Sequence, residues 1–271
     1  MIDPIQMFNP VTLAFIATLF TWGTTALGAA IVFATRDFNQ RMLESMLGFA
    51  GGVMVAASFW SLLSPAVDLS ENHELGSWFP AAAGFLLGGF FIWMMTKLWP
   101  IFYLNAPMRS TDRFHRRRRK RSALLVLAIT LHNIPEGLAI GVAFGALASG
   151  GTEAAFSSAI ALALGVGIQN IPEGAAVSMP LRGDGFSRKK SFFYGQLSGA
   201  AEPVSAVFGA LAVTVVEPLL PYALSFAAGA MIFVVIEELI PYSPEKNSHT
   251  TAAMSFMIGF AIMMILDVAL G

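Results

Sequence analysis

Eight long apolar runs partition this chain and leave little room for anything else. They cover roughly 11–33, 43–67, 79–99, 122–148, 155–180, 191–216, 222–240 and 251–270. About 20 apolar residues in a helix cross the hydrocarbon core of a bilayer. Only helices and closed barrels satisfy their backbone groups there. The runs therefore predict an all-α polytopic membrane protein with eight transmembrane helices. The longest connection, 100–121, is too short for an independent soluble domain. Residues 1–271 are read as a single transmembrane domain with a basic cytoplasmic loop at 100–121. The composition agrees: 56% of residues are hydrophobic and 12% are charged. Soluble domains carry roughly a quarter charged residues, so a soluble enzyme is excluded. No lysine or arginine precedes the first run, and that run is too long for a signal-peptide core. With no cysteine, disulfides and thiolate metal sites are excluded too.

The charges orient the helices. All sixteen basic residues fall at alternate connections. Arg36 and Arg41 lie between helices 1 and 2. Lys97, Arg109, Arg113 and the run 116–121 lie between helices 3 and 4. Arg182, Arg188, Lys189 and Lys190 lie between helices 5 and 6, and Lys246 lies between helices 7 and 8. By the positive-inside rule these connections are cytoplasmic and both termini are outside. The run from His115 to Arg121 resembles a nucleic-acid patch. Beside a membrane it is more simply a topology lock that touches anionic headgroups, so the lipid bilayer is the expected partner and nucleic acid is not.

Two matching motifs sit near mid-membrane. Helix 4 carries His132-Asn-Ile-Pro-Glu-Gly137 and helix 5 carries Gln169-Asn-Ile-Pro-Glu-Gly174. Consecutive helices run antiparallel, so the two motifs face each other across a local pseudo-two-fold. Residues three or four apart share a helix face. Glu136 therefore lies between His132 and Asn133, and Glu173 lies between Gln169 and Asn170. A carboxylate flanked by two kinds of donor is placed to bridge two cations. Pro135 and Pro172 free the carbonyls of Leu131 and Ile168. Glu202 of helix 6 is a third buried acid. Each such carboxylate costs about 2.5–3.5 kcal/mol at the bilayer centre, and no basic residue lies at that depth. Two divalent cations against Glu136, Glu173 and Glu202 bring the charge close to balance. Three glycine pairs, Gly48/Gly52, Gly84/Gly88 and Gly195/Gly199, suit close helix packing within the chain or at a dimer face.

The paired motifs, with Ser198-Gly-x-x-Glu-Pro203 on helix 6, resemble the ZIP (Zrt/Irt-like) divalent-metal transporters of prokaryotic type. The resemblance covers all eight helices. It implies an inverted repeat of helices 1–3 and 6–8 around helices 4 and 5. It also implies a midplane binuclear metal centre, with uptake into the cytoplasm by alternating access. Carried onto this chain, a first ion would meet His132, Glu136, Gln169 and Glu173, with Met54 completing the shell. A second would meet Asn133, Glu136, Asn170, Glu173 and Glu202. Asp68 and Asp267 would form an outer entrance, and Glu237 and Glu238 an inner exit. The cargo would be Zn2+, with Cd2+, Fe2+ or Mn2+ as further candidates. No prosthetic group is expected, and a homodimer is implied. Many family members carry His where this chain has Gln169. The amide is a harder ligand, which argues against strict zinc selectivity. The expected location is the bacterial cytoplasmic (inner) membrane.

Two other readings compete. An intramembrane metalloenzyme would want two or three histidines around zinc, and only one intramembrane histidine exists. A proton-coupled transporter of an organic solute would use the carboxylates as proton sites. It would bind its substrate without metal. Glu44, Asp37 and Glu245 read as surface charges, and the loop holding Glu71, His73 and Glu74 reads as a solvated polar turn.

Overall fold

The computed structural model describes residues 9–34, 40–71, 73–104, 113–149, 152–215, 217–239 and 246–270. Among these there is no strand, and eight helical spans are long and apolar enough to cross a membrane. Helix α1 is Pro10–Ala34. Helix α2 starts as Gln40–Ala57 and continues through a π-type segment, Ser58–Leu63, into Ser64–Asp68. Helix α3 is Trp78–Leu104, α4 is Arg113–Gly145 and α5 is Glu153–Gly183. Helix α6 is broken into Arg188–Ser198 and Ala201–Val215. Helix α7 is Leu220–Val234, ending in a π-type segment Val235–Leu239, and α8 is Lys246–Leu270.

Local chemistry sets several boundaries. The Thr152 hydroxyl accepts from the Ala155 N–H at 3.1 Å and caps α5. Ser187 caps α6 through the Lys190 N–H at 3.3 Å. Such caps satisfy the donors that the first helical turn leaves open. Gly76 and Gly185 take φ of 89° in the turns before α3 and α6, a region that side chains resist.

The helices pack as four pairs: α1 with α5, α4 with α6, α2 with α8, and α3 with α7. Each pair joins two odd or two even spans, so its members run the same way. Helices α1, α4, α5 and α6 pack on one another as one bundle. Helices α2, α3, α7 and α8 form a second, joined through α2 and α7. The bundles meet where α5 lies against α2 and α8, and where α4 lies against α7. Glycines set the closeness of the pairs. A Cβ on Gly52 would overlap the Phe256 carbonyl of α8, and one on Gly88 the Phe226 carbonyl of α7. Gly195 abuts Ala29 and Ser178, and Gly199 abuts Thr25 and Trp22. The three glycine pairs are thus consumed by contacts inside the chain.

Three expectations change. Helix α3 runs on to Leu104 and α4 starts at Arg113, so the run 116–121 is helical and the connection narrows to 105–112. Those eight residues lie outside the described ones, as do Asp37 and Glu245. Glu44 is buried rather than a surface charge, because its helix packs against both α5 and α8. His73 is half-buried: it stacks on Phe79, and its Nε2 lies 3.1 Å from the Tyr222 hydroxyl.

Candidate metal centre

Helices α4 and α5 stay helical through both motifs, with Pro135 and Pro172 inside them. Proline supplies no N–H, so the carbonyls of Leu131 and Ile168 lose their regular helical donors. Asn133, Glu136, Gln169, Asn170, Glu173 and Glu202 are all buried. The side chain of His132 lies outside the described ones. The glycine after each glutamate serves helix packing. A Cβ on Gly137 would overlap Ser205 and Glu202 of α6, and one on Gly174 would overlap the Thr25 carbonyl of α1.

These contacts bring the two motifs together. The Gln169 Nε2 donates to Glu136 Oε1 at 2.5 Å, linking α5 to α4. On the other side, Asn170 Nδ2 donates to both Glu202 oxygens at 2.9 and 3.0 Å. It donates as well to the Thr21 carbonyl at 3.0 Å. The Thr21 hydroxyl donates to Glu202 Oε2, and Thr25 reaches Oε1 at 3.5 Å.

The remaining atoms are more telling than the paired ones. Asn133 Oδ1, Glu136 Oε2, Gln169 Oε1, Asn170 Oδ1 and both Glu173 oxygens are buried without a hydrogen-bond partner. Only one donor in these residues, Asn133 Nδ2, is likewise unpaired. Buried polar atoms normally find partners, and an unpaired one costs about 1–3 kcal/mol. These residues thus carry six unpaired acceptors against one unpaired donor, an excess that suits positive charge. Among the described residues no three His, Cys, Asp or Glu side chains form a ready shell, so any metal shell here would need amide oxygens as well. Carboxylates, amides and an imidazole are donors that divalent transition metals accept, so the residue set fits such an ion.

The flanking residues lie at three levels of the fold. Met54 is fully buried on α2, the helix that lies against α5. A cavity of about 890 Å³ opens at the end of the molecule expected to face outward. Ser61, Asp68, His73, Ala143, Ser158 and Tyr222 are among its lining residues. Asp68 is exposed there. Asp267 is buried and accepts from the lining hydroxyl of Ser61 at 2.6 Å. Both acids thus belong to this end, but only Asp68 is solvated. Glu237 is exposed on the π-type end of α7, and the Glu238 side chain lies outside the described ones.

Sequence reasoning missed Thr21, Thr25 and Ser61. For the threonines the sequence carries a shared face but no partner: Thr18, Thr21 and Thr25 recur at helical spacing in a largely apolar span and are all buried.

Comparison with known proteins identifies the family. Residues 105–267 match the family model described as ZIP Zinc transporter. Zinc transporter ZIP11 of Xenopus tropicalis is 41% identical, over 98% of this chain and 100% of the relative. Zinc transporter ZIP11 of Homo sapiens is 39% identical over the same shares. Zinc transporter GufA of Myxococcus xanthus is 36% identical, over 94% of this chain and 98% of the relative. These relatives are named as transporters, not enzymes, and vertebrate chains stand beside the bacterial one, so family membership does not by itself place the chain in a bacterial membrane. The chain is an integral membrane protein and belongs to the ZIP zinc transporter family.

Proposed function

We propose that the chain moves divalent transition-metal ions, zinc first among them, into the cytoplasm through the centre between α4 and α5. The observation that carries this reading is the excess of unpaired acceptors at membrane depth. A cation would satisfy those atoms and offset the buried carboxylates at once. In this reading a first ion meets His132, Glu136, Gln169 and Glu173, with Met54 at hand. A second meets Asn133, Glu136, Asn170, Glu173 and Glu202.

The path follows the same logic. Ions gather in the outer cavity beside Asp68, whose charge raises their local concentration. Ala143 lines that cavity and stands seven residues beyond Glu136. At 1.5 Å per residue the cavity wall reaches to about 10 Å from the centre. Transit of that last stretch requires the bundle α1/α4/α5/α6 to move against α2/α3/α7/α8, which is alternating access. Release runs toward Glu237 and Glu238. An inverted repeat supports the motion. Exchanging α1 with α6, α2 with α7, α3 with α8 and α4 with α5 carries the α1–α5 pair onto α6–α4. The same exchange carries the α2–α8 pair onto α7–α3. The π-type segments of α2 and α7 also exchange. Both termini lie outside in this arrangement, and any homodimer uses faces other than the three glycine pairs.

Equilibrium zinc binding to the protein in nanodiscs tests the reading. Wild type binds zinc, and Glu136→Gln loses at least roughly 100-fold in affinity, beyond the 10–100-fold typical of outer-shell partners. Unchanged binding in the variant removes the metal from this site. Solute uptake that ignores chelators favours the organic-solute transporter instead.

A further inference from the structure

The three buried glutamates are not equivalent. Glu136 keeps one oxygen unpaired and Glu173 keeps both. Glu202 has neither free. Its Oε2 takes the Thr21 hydroxyl and Asn170 Nδ2, and its Oε1 takes Asn170 Nδ2 and the more distant Thr25 hydroxyl. The Asn170 amide also holds the Thr21 carbonyl at 3.0 Å. Helices α1, α5 and α6 are tied in one knot whose centre is the Glu202 carboxylate. Glu202 sits in the first turn after the break in α6, where its N–H bonds the Gly199 carbonyl at 3.1 Å. Its backbone is therefore held as well as its side chain.

We infer that Thr21 is a positioning residue that holds the Glu202 carboxylate away from a second cation. Thr21 thereby sets how tightly the Asn170/Glu202 half of the centre binds metal. This rests on the reading of the centre as a divalent-metal site. An ion arriving at Glu136 and Glu173 meets open acceptors. An ion arriving at Glu202 must first displace hydroxyl and amide donors. Hydrogen bonds to a charged partner are among the stronger ones, so the two steps of loading separate in affinity. Thr21 is the best target because it touches the centre only through Glu202 and the Asn170 amide.

The test is equilibrium Zn2+ titration of the full chain in nanodiscs, with bound metal counted by mass spectrometry. Wild type, Thr21→Val and Thr21→Ser are compared. Valine keeps the shape and removes the donor; serine restores it. Wild type shows a tight first ion and a separate, weaker second ion. In Thr21→Val the second ion binds roughly tenfold more tightly, the effect of one lost charge-assisted hydrogen bond. Its first ion stays within about threefold of wild type, and Thr21→Ser behaves as wild type. A general structural defect would weaken both ions together, and that result overturns the inference. So does an unchanged second step in a folded Thr21→Val. If Thr21→Val does not fold, wild type alone decides, because two ions binding with equal affinity refute the clasp. Absence of zinc binding in wild type refutes the metal centre itself, and is distinguished from failure of the clasp by that missing first step.

Discussion

Replacing Gly137 by alanine perturbs the site without replacing a candidate ligand. The added Cβ would lie 2.7 Å from the Glu202 Cα and would overlap the Glu202 carbonyl and the Ser205 hydroxyl. Carbon atoms pack at about 3.5–4.0 Å. Helix α6 must therefore retreat by about 0.8 Å at least, and its backbone is the part that has to move. Overpacking of this kind costs about 1–3 kcal/mol. The retreat also carries Glu202 away from Thr21 and Asn170. Gly23→Ala is the matched control, because nothing lies within 4 Å of a Cβ there, and it stays within about 0.5 kcal/mol of wild type. Thermal melting in detergent, followed by zinc uptake into proteoliposomes, reads both effects. Gly137→Ala melts lower and transports less, while Gly23→Ala does neither. If Gly137→Ala melts and transports like Gly23→Ala, the close α4–α6 approach does not hold the centre.

Other consequences follow from single contacts. Ser61→Ala leaves the buried Asp267 carboxylate without its 2.6 Å donor and destabilises the protein by about 1–3 kcal/mol; an unchanged melting temperature contradicts this. Asp68→Asn removes a solvated charge from the outer cavity, raising the KM for zinc roughly threefold with kcat unchanged. The effect vanishes at high salt, and a kcat defect instead would place Asp68 at the centre. Gln169→His supplies a softer ligand and shifts uptake toward zinc and cadmium over manganese. Competition assays check that order, and an unaltered preference removes Gln169 from the metal's surroundings.

The membrane architecture was readable because desolvating a charge dominates everything else. Charges cannot sit at mid-bilayer cheaply, so their bunching marked the eight spans, whose ends fall within a few residues of expectation for most helices. The paired motifs were equally plain, since five of their six positions repeat. The Glu202 clasp was not. Thr18, Thr21 and Thr25 each lie within bonding reach of a carbonyl three or four residues back, a habit of threonine in apolar helices. Their identity therefore does not reveal a partner 181 positions away in sequence. Glu44 misled for a related reason: beside Arg41 at a helix start it looks solvated, and only the packing of α2 buries it. The pairing of His73 with Tyr222 across 149 positions has no local signature either.

Zinc uptake into sealed proteoliposomes decides whether the ion crosses between the paired motifs. Wild type is compared with the double variant Glu136→Ala/Glu173→Ala at matched reconstitution. Uptake is saturable in wild type and does not rise above empty liposomes in the variant. Equal uptake in both would mean that the paired motifs are structural and that the ion crosses elsewhere.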